Sequence, residues 1–339
     1  MIKKILKKTW YSKIGILSIL LSPVALIFLI TIKIKYFLYY RSILKKKNFK
    51  IPIVVIGNVT VGGSGKTPFC IWLANHLTKK GLTIGIVSSG YRGSSNSPQV
   101  VTHNSNPDIV GDEAYMLHKL TSSIVVSGGN RIEATQLLVE SDNFDLILHD
   151  DGLQHYALAR NYEILMIDSI HLYGNKMLLP SGPLREPLNL AKKRANIEIV
   201  TNLNDIKKFE NNSLSQYHII THNKEVENTA NKIVKPIDSF ANNKVHLVTG
   251  IAHNDLILLS LLKYNIDVYI HEYDDHHKFT SNDLKFNDSC PIFITMKDYV
   301  KLSKVNNKNL WVLKHEIKPS EMLINKIDDD INRLVCYEN

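Results

Sequence analysis

The chain opens with a nineteen-residue apolar run, residues 14–32, that carries no charge. It is long enough to cross a bilayer. From residue 51 the pattern changes to short β-branched runs alternating with stretches of helical period. The spacing predicts strands at 51–56, 83–88, 123–127, 144–148, 164–167 and 197–201, and helices at 112–120 and 130–140. A helix at 68–80 places Phe69, Trp72, Leu73 and Leu77 on one face and stops at Gly81. Strands alternating with helices argue for a mostly parallel sheet covered on both faces. Residues 94–108 are polar and irregular, and residues 202–235 are polar and Asn-rich, with short strands and turns expected. A second, smaller α/β unit follows, with strands at 245–250, 266–270 and 292–295 and helices at 254–263 and 281–285. The expected division is therefore an N-terminal segment at 1–50, a core at 51–240 and a C-terminal α/β domain at 241–339. No internal repeat is evident.

Charge alters the reading of the first segment. The net charge is +9, yet residues 1–50 hold twelve Lys and Arg and no Asp or Glu. Of the 41 basic residues, 29 remain to face all 32 acidic ones. The excess therefore surrounds the apolar run, which points to an anionic membrane surface and away from nucleic acid. Both flanks are basic, so the positive-inside rule assigns no orientation, and Pro23 invites a kink. A helix lodged in one leaflet with both ends in the cytosol fits these charges at least as well as a spanning one. A signal peptide would need a shorter apolar core and a small-residue cleavage site. Cys70, Cys290 and Cys336 are scattered, as suits a reducing compartment.

The chemistry begins at IPIVVIGNVTVGGSGKT, residues 51–67. A strand, a glycine turn, Gly-Lys-Thr and a helix form the context of a phosphate-binding loop. Thr60, Val61, Gly62, Gly63, Ser64, Gly65, Lys66 and Thr67 make the cradle. Glycines let backbone N–H groups turn toward an anion, and the helix adds its positive end. Lys66 would reach the β- and γ-phosphates and Thr67 would ligate Mg²⁺. The strict motif has Gly where this chain has Thr60. A second apolar strand ends in His149-Asp150-Asp151-Gly152. In phosphate-loop enzymes that strand end brings a carboxylate to Mg²⁺.

Other candidates are weaker one by one. Asp112-Glu113 opens a helix and reads most simply as a capping pair. Asp274-Asp275-His276-His277 is a carboxylate–imidazole cluster that can orient a proton acceptor. It has no cysteine nearby and no helical His-x₃-His, which argues against zinc there. Arg92, Arg131 and Arg185 lie in glycine- or proline-flanked loops, where a planar guanidinium suits phosphate.

Taken together, GNVTVGGSGKTP, SSGYRG, GDEAYML, GGNR, LHDDGLQH, LPSGPLREP, DDHHKF and TMKDYVKL occur in an order that resembles the tetraacyldisaccharide 4′-kinases, the lipid A kinases. The resemblance covers about residues 10–305 and includes the apolar N-terminus. That family also has Thr at the position of Thr60. TMKD stands where it more often has Thr-Glu-Lys-Asp, and DDHH where an apolar–Asp–His form is common. The resemblance implies a phosphate-loop kinase core that transfers the γ-phosphate of ATP to the 4′-hydroxyl of a lipid disaccharide 1-phosphate at the cytoplasmic face of the inner membrane. It implies that residues 60–67 hold ATP and Mg²⁺ and that Asp151, with Asp150, holds the metal, with Glu186 assisting. Asp112 would be the general base and His276 its orienting partner. Arg131 and Arg185 would contact phosphates or headgroup. No obligate protein partner is implied.

Three other readings compete. A membrane-attached switch ATPase would carry Lys where this chain has Val61. A soluble small-metabolite kinase leaves the basic anchor and DDHH unexplained. A GTPase is the less favoured of these: its Asn-Lys-x-Asp motif occurs only as Asn325-Lys326-Ile327-Asp328, far along the chain from the phosphate loop.

Overall fold

A computed structural model describes residues 6, 8–91, 93–201, 216–250, 255–274, 277–302, 305 and 307–336. Its first sheet has seven strands: β1 (Ile53–Gly57), β2 (Ile84–Ser88), β3 (Gln99–Val100), β4 (Ile124–Ser127), β5 (Leu146–Asp150), β6 (Tyr162–Asp168) and β7 (Ile197–Thr201). Their order is β3-β4-β2-β5-β1-β6-β7. All neighbours run parallel except the short β3, which is antiparallel to β4. Residues of β1 point alternately into two cores, Val54 and Ile56 into one and Ile53 and Val55 into the other. That double burial is why these strands read as unbroken apolar runs.

Seven helices matter to the argument: α1 (Ser22–Tyr40), α2 (Lys66–Lys79), α3 (Asp112–Leu120), α4 (Arg131–Ser141), α5 (Leu188–Arg194), α6 (Asp255–Leu262) and α7 (Glu321–Cys336). The apolar N-terminal run is divided. A short turn, Ile16–Leu20, precedes α1, and Pro23 lies in the first turn of α1, where its missing N–H costs nothing. The proline therefore starts the long helix and does not kink it. At 1.5 Å per residue, α1 is about 28 Å long, and its length and composition would suit a membrane span. Ile16, Ile19, Leu20, Val24, Ile27 and Ile30 are all at least half exposed. Yet both ends of this segment dock on the first unit. Trp10 Nε1 donates to the Pro180 carbonyl at 2.8 Å, and Asn175 Nδ2 to Ser18 Oγ at 3.3 Å. At the far end Tyr36 meets Tyr156 edge-on at 5.9 Å, and the Arg194 guanidinium lies over the Tyr36 ring.

The second sheet contains β8 (Ile219–Asn228), β9 (Val234–Pro236), β10 (Lys244–Thr249), β11 (Asp267–Glu272), β12 (Ile292–Thr295) and β13 (Leu310–Pro319), in the order β11-β10-β12-β13-β8-β9. Two features depart from the expected division at 240/241. The second sheet already begins at β8, whose ten residues pair antiparallel with β13. Then α7 returns to the first unit: Leu323, Ile327 and Ile331 are buried in the same cluster as Phe69, Leu73 and Leu77 of α2. Their spacing of four puts them on one helical stripe. Asp328 pairs with His76 at 2.8 Å and also with Lys80, and Tyr162 donates to Asp330. The second unit is thus an insertion, and the first is completed by the end of the chain.

Candidate active site

β1 and β5 are neighbours, and their register places Ile56 beside Asp150. The glycine loop and the Asp-Asp-Gly turn therefore leave the same sheet edge side by side. This is the carboxyl end of a parallel sheet, where ligands of such folds bind. Within the loop, Gly62 (φ 131°) and Gly65 (φ 74°) take backbone conformations that side chains disfavour. Thr60 does not: it forms an antiparallel bridge with Leu184. Val61 N–H donates to the Pro183 carbonyl at 2.9 Å, and Arg185 N–H to the Val59 carbonyl at 2.7 Å. The position of the strict motif's first glycine is here an extended residue in a small ladder, so threonine fits, and its hydroxyl accepts from Asn58 Nδ2 at 3.2 Å.

The two acids separate cleanly. Thr67 Oγ1 donates to Asp150 Oδ2 at 2.8 Å. Asp151 turns away through a positive φ of 56°. It lies 3.7 Å from Lys66 Nζ, and Arg185 Nη1 is 2.9 Å from both its oxygens. Lys66 also donates to Asn58 Oδ1 at 3.0 Å. The carboxyl of Asp150 is pushed up to about 7, first by burial and then by the charge of Glu113, against the pull of Lys66. Burial also acts upward on Asp151, but Lys66 and Arg185 outweigh it and hold that carboxyl down at about 2. The two adjacent carboxyls are thus pushed in opposite directions by their surroundings. Asp150 Oδ1 is buried with no donor, an acceptor oxygen of the kind Mg²⁺ takes.

The remaining expected residues fall in three groups. Arg185 joins the cluster, as stated. Arg131 is 2% exposed, and its Nη2 donates to the carbonyls of Asp150 at 2.6 Å and Asp151 at 3.2 Å. In this structure it braces the acidic turn from beneath. Glu186 is fully buried. Its oxygens accept from Gln154 Nε2 at 2.9 Å and Tyr156 OH at 2.7 Å, and Arg194 is 2.9 Å away. Those partners form a cluster linked to the loop through Gln154, whose Nε2 also donates to the Asn58 carbonyl at 3.1 Å. Arg92 and His276 lie outside the described residues.

Asp112 begins α3 and is partly exposed. The charge of the adjacent Glu113 is felt by both Asp150 and Arg131, so this helix start faces the acidic turn. The second unit reaches the same place. Lys297 lies 3.6 Å from Glu113, and Lys278, just after the DDHH cluster, lies 2.7 Å from Asp108. Gly250 packs so closely on the Asp274 carbonyl that a Cβ would sit 3.0 Å from it. Asp298, fully buried, accepts from Gly250 N–H at 3.1 Å and Thr295 Oγ1 at 2.8 Å. His277 Nε2 is 3.4 Å from Asp283. The sequence reading missed Asn58, Glu113 and Asp298 as supports. All three sit in conspicuous motifs, Asn58 in GNVTVGGSGKTP, Glu113 in GDEAYML and Asp298 in TMKDYVKL, but a motif does not state its members' partners.

A glycine cradle, a lysine over it, a threonine–aspartate pair at its base and a guanidinium beside a second aspartate define a phosphate-loop phosphotransferase. Comparisons narrow the class. The family model described as tetraacyldisaccharide-1-P 4′-kinase matches residues 17–332. Relatives named tetraacyldisaccharide 4′-kinase include one from Coxiella burnetii, 38% identical over 89% of this chain and 87% of that protein. Another, from Pseudoalteromonas translucida, is 35% identical over 95% of both. A crystal structure of LpxK from Aquifex aeolicus in complex with ATP matches with a TM-score of 0.79 and 26% identity, covering 94% of this chain and all of that one. The chain belongs to the tetraacyldisaccharide 4′-kinase family.

Proposed function

We propose that this protein transfers the γ-phosphate of ATP to the 4′-hydroxyl of a tetraacyldisaccharide 1-phosphate, a step of lipid A biosynthesis. The observation that carries the reading is the paired geometry at the sheet edge: Thr67 on Asp150, and Lys66 with Arg185 on Asp151. Residues 60–67 cradle the phosphates. Thr67 and Asp150 are the residues that would hold Mg²⁺, with Asp151 beside them and Glu186 in reserve. An ion held by these residues would supply neutralisation of the phosphate charge. Lys66 and Arg185 stabilise charge developing on the transferred group. Asp112, at the start of α3, takes the proton of the sugar hydroxyl. His276 orients it from the second unit, and Arg92 and Arg131 serve substrate phosphates directly or through the acidic turn.

The acceptor's acyl chains resist leaving the bilayer at about 0.8 kcal/mol per CH₂, so the enzyme goes to the membrane. The basic, apolar N-terminus takes it to the cytoplasmic face of the inner membrane. Docking of both ends of that segment on one unit supports a helix lying in one leaflet rather than crossing it. Tyr11 OH also donates to the Val61 carbonyl at 2.9 Å, so this segment adjoins the phosphate loop itself.

Purified protein is expected to label a tetraacyl disaccharide 1-phosphate in detergent micelles from labelled ATP. Absence of a lipid product would overturn the reading. Asp112→Asn is expected to lower turnover roughly 10²–10⁴-fold with ATP affinity nearly unchanged. A collapse of ATP binding would instead put Asp112 in the nucleotide site. A pH effect follows from Asp150. Its carboxyl titrates near 7 in the folded chain and near 3.8 in its ordinary state. The metal-free fold therefore gains protons relative to the unfolded chain. That contribution is full at low pH and is lost as pH rises through about 7. Mg²⁺ must displace this proton, so its stabilisation of the protein should be larger at pH 8 than at pH 6, as read by thermal melts. An equal shift at both pH values would count against Asp150 as the ligand.

A further inference from the structure

A cluster on the second unit has no part in the chemistry above. His246 on β10 is 7% exposed and lies flat against Phe286, with ring centroids 3.8 Å apart and an interplanar angle of 11°. Its Nε2 is 3.0 Å from Asp288 Oδ1, and its Nδ1 is 2.9 Å from His271 Nε2 on β11. Cys290 lies two residues beyond Asp288 in the loop entering β12, and its N–H donates to Asp288 Oδ1 at 3.1 Å. One donor atom each from His246, Asp288 and Cys290 falls within 4.8 Å of the others. The loop precedes β12, whereas Gly250, which packs on Asp274, and Asp298, which accepts from Gly250, follow the ends of β10 and β12. The cluster is therefore separate from the phosphate site.

We propose that His246, Asp288 and Cys290 form a binding site for a borderline divalent metal ion, Zn²⁺ foremost. Imidazole nitrogen, carboxylate oxygen and thiolate sulfur are the donor types Zn²⁺ takes, and three protein ligands leave a fourth position open to water. Imidazole and thiolate exclude Mg²⁺ and Ca²⁺, which demand oxygen. His271 is the orienting partner. When it accepts from His246 Nδ1–H, it leaves Nε2 bare and aimed at the metal, a tautomer control common at metal-bound histidines. Stacking on Phe286 fixes the ring plane. In the metal-free protein, burial and the neighbouring Asp288 keep the Cys290 thiol protonated. Binding forms a Zn–S bond and breaks the S–H bond, and that proton leaves to solvent. The thiol's proton is the one that binding displaces, about one per ion. The ion clips the loop at 288–290 to β10.

The test uses the full-length protein, dialysed against chelator and titrated with Zn²⁺ in competition with a coloured chelator. Other histidine pairs, such as His103 and His118 at 3.4 Å, can take up metal too. The readout is therefore the difference between proteins. Wild type is expected to bind one more tight equivalent than Cys290→Ser, with Asp288→Asn weakened at least tenfold. His271→Asn is expected to weaken binding roughly 10–100-fold. Co²⁺ should give a thiolate charge-transfer band in wild type that Cys290→Ser lacks. Calorimetry in buffers of different ionisation heat should return about one proton released. Equal Zn²⁺ uptake by wild type and Cys290→Ser, with no thiolate band, would overturn the proposal. Cys290→Ser and Asp288→Asn lie in a partly exposed loop and His271→Asn on β11, and melts without metal will show that all three fold.

Discussion

Replacing Lys66 by alanine is expected to lower kcat/KM for phosphoryl transfer roughly 10³-fold, the scale on which single charged stabilisers act in such sites. The side chain is only 10% exposed and its ammonium is fixed from two sides, by Asn58 Oδ1 at 3.0 Å and Asp151 at 3.7 Å. Such a charge needs little reorganisation when negative charge builds on the phosphates. Arginine should not rescue it, because the pocket formed by Asn58 and Asp151 receives a compact ammonium and not a planar fork. Stability should change little: Asp151 keeps Arg185 against both its oxygens. Steady-state kinetics with the lipid acceptor, an ATP titration and a thermal melt make up the check. Activity within tenfold of wild type would mean that Lys66 does not touch the transferred phosphate.

The second large effect concerns Arg131. Arg131→Ala is expected to destabilise the fold by about 3–5 kcal/mol and to abolish transfer. The guanidinium is buried, and its loss strands the carbonyls of Asp150 and Asp151, the residues that place both carboxylates. Unsatisfied buried acceptors cost about 1–3 kcal/mol each, and the emptied volume adds to that. Arg131→Lys keeps a charge but cannot reproduce the fork, so it should recover part of the stability and little activity. Urea unfolding separates this from a direct substrate contact. Full stability with lost activity would show that Arg131 meets phosphate rather than bracing the turn.

These two residues also show what the sequence could and could not reveal. Lys66 was legible because a phosphate loop is local: strand, turn and helix follow one another, and the motif lies within eight residues. The role of Arg131 was not, since it rests on a pairing with residues nineteen and twenty positions away across a strand and a helix. Glu186 was expected at the metal only through the family resemblance. Its partners Tyr156 and Arg194 come from opposite sides in sequence, and no local pattern announces them. The strands of the first sheet were readable as apolar runs because both faces are buried. The limits of the second unit were not, because β8 lies in a polar stretch and finds its partner, β13, some ninety residues later. The stripe Leu323, Ile327 and Ile331 has a clear helical period, but nothing in it states that its mate is α2.

That late return of α7 bears on how the fold is assembled. Phe69, Leu73 and Leu77 precede the stripe that covers them, Leu323, Ile327 and Ile331, by the whole of the inserted unit. Until α7 is made, the helix that carries Lys66 and Thr67 at its start lacks part of its cover. The phosphate loop therefore gains its finished scaffold only after the second unit has been synthesised, although its own motif is complete within eight residues near the front of the fold.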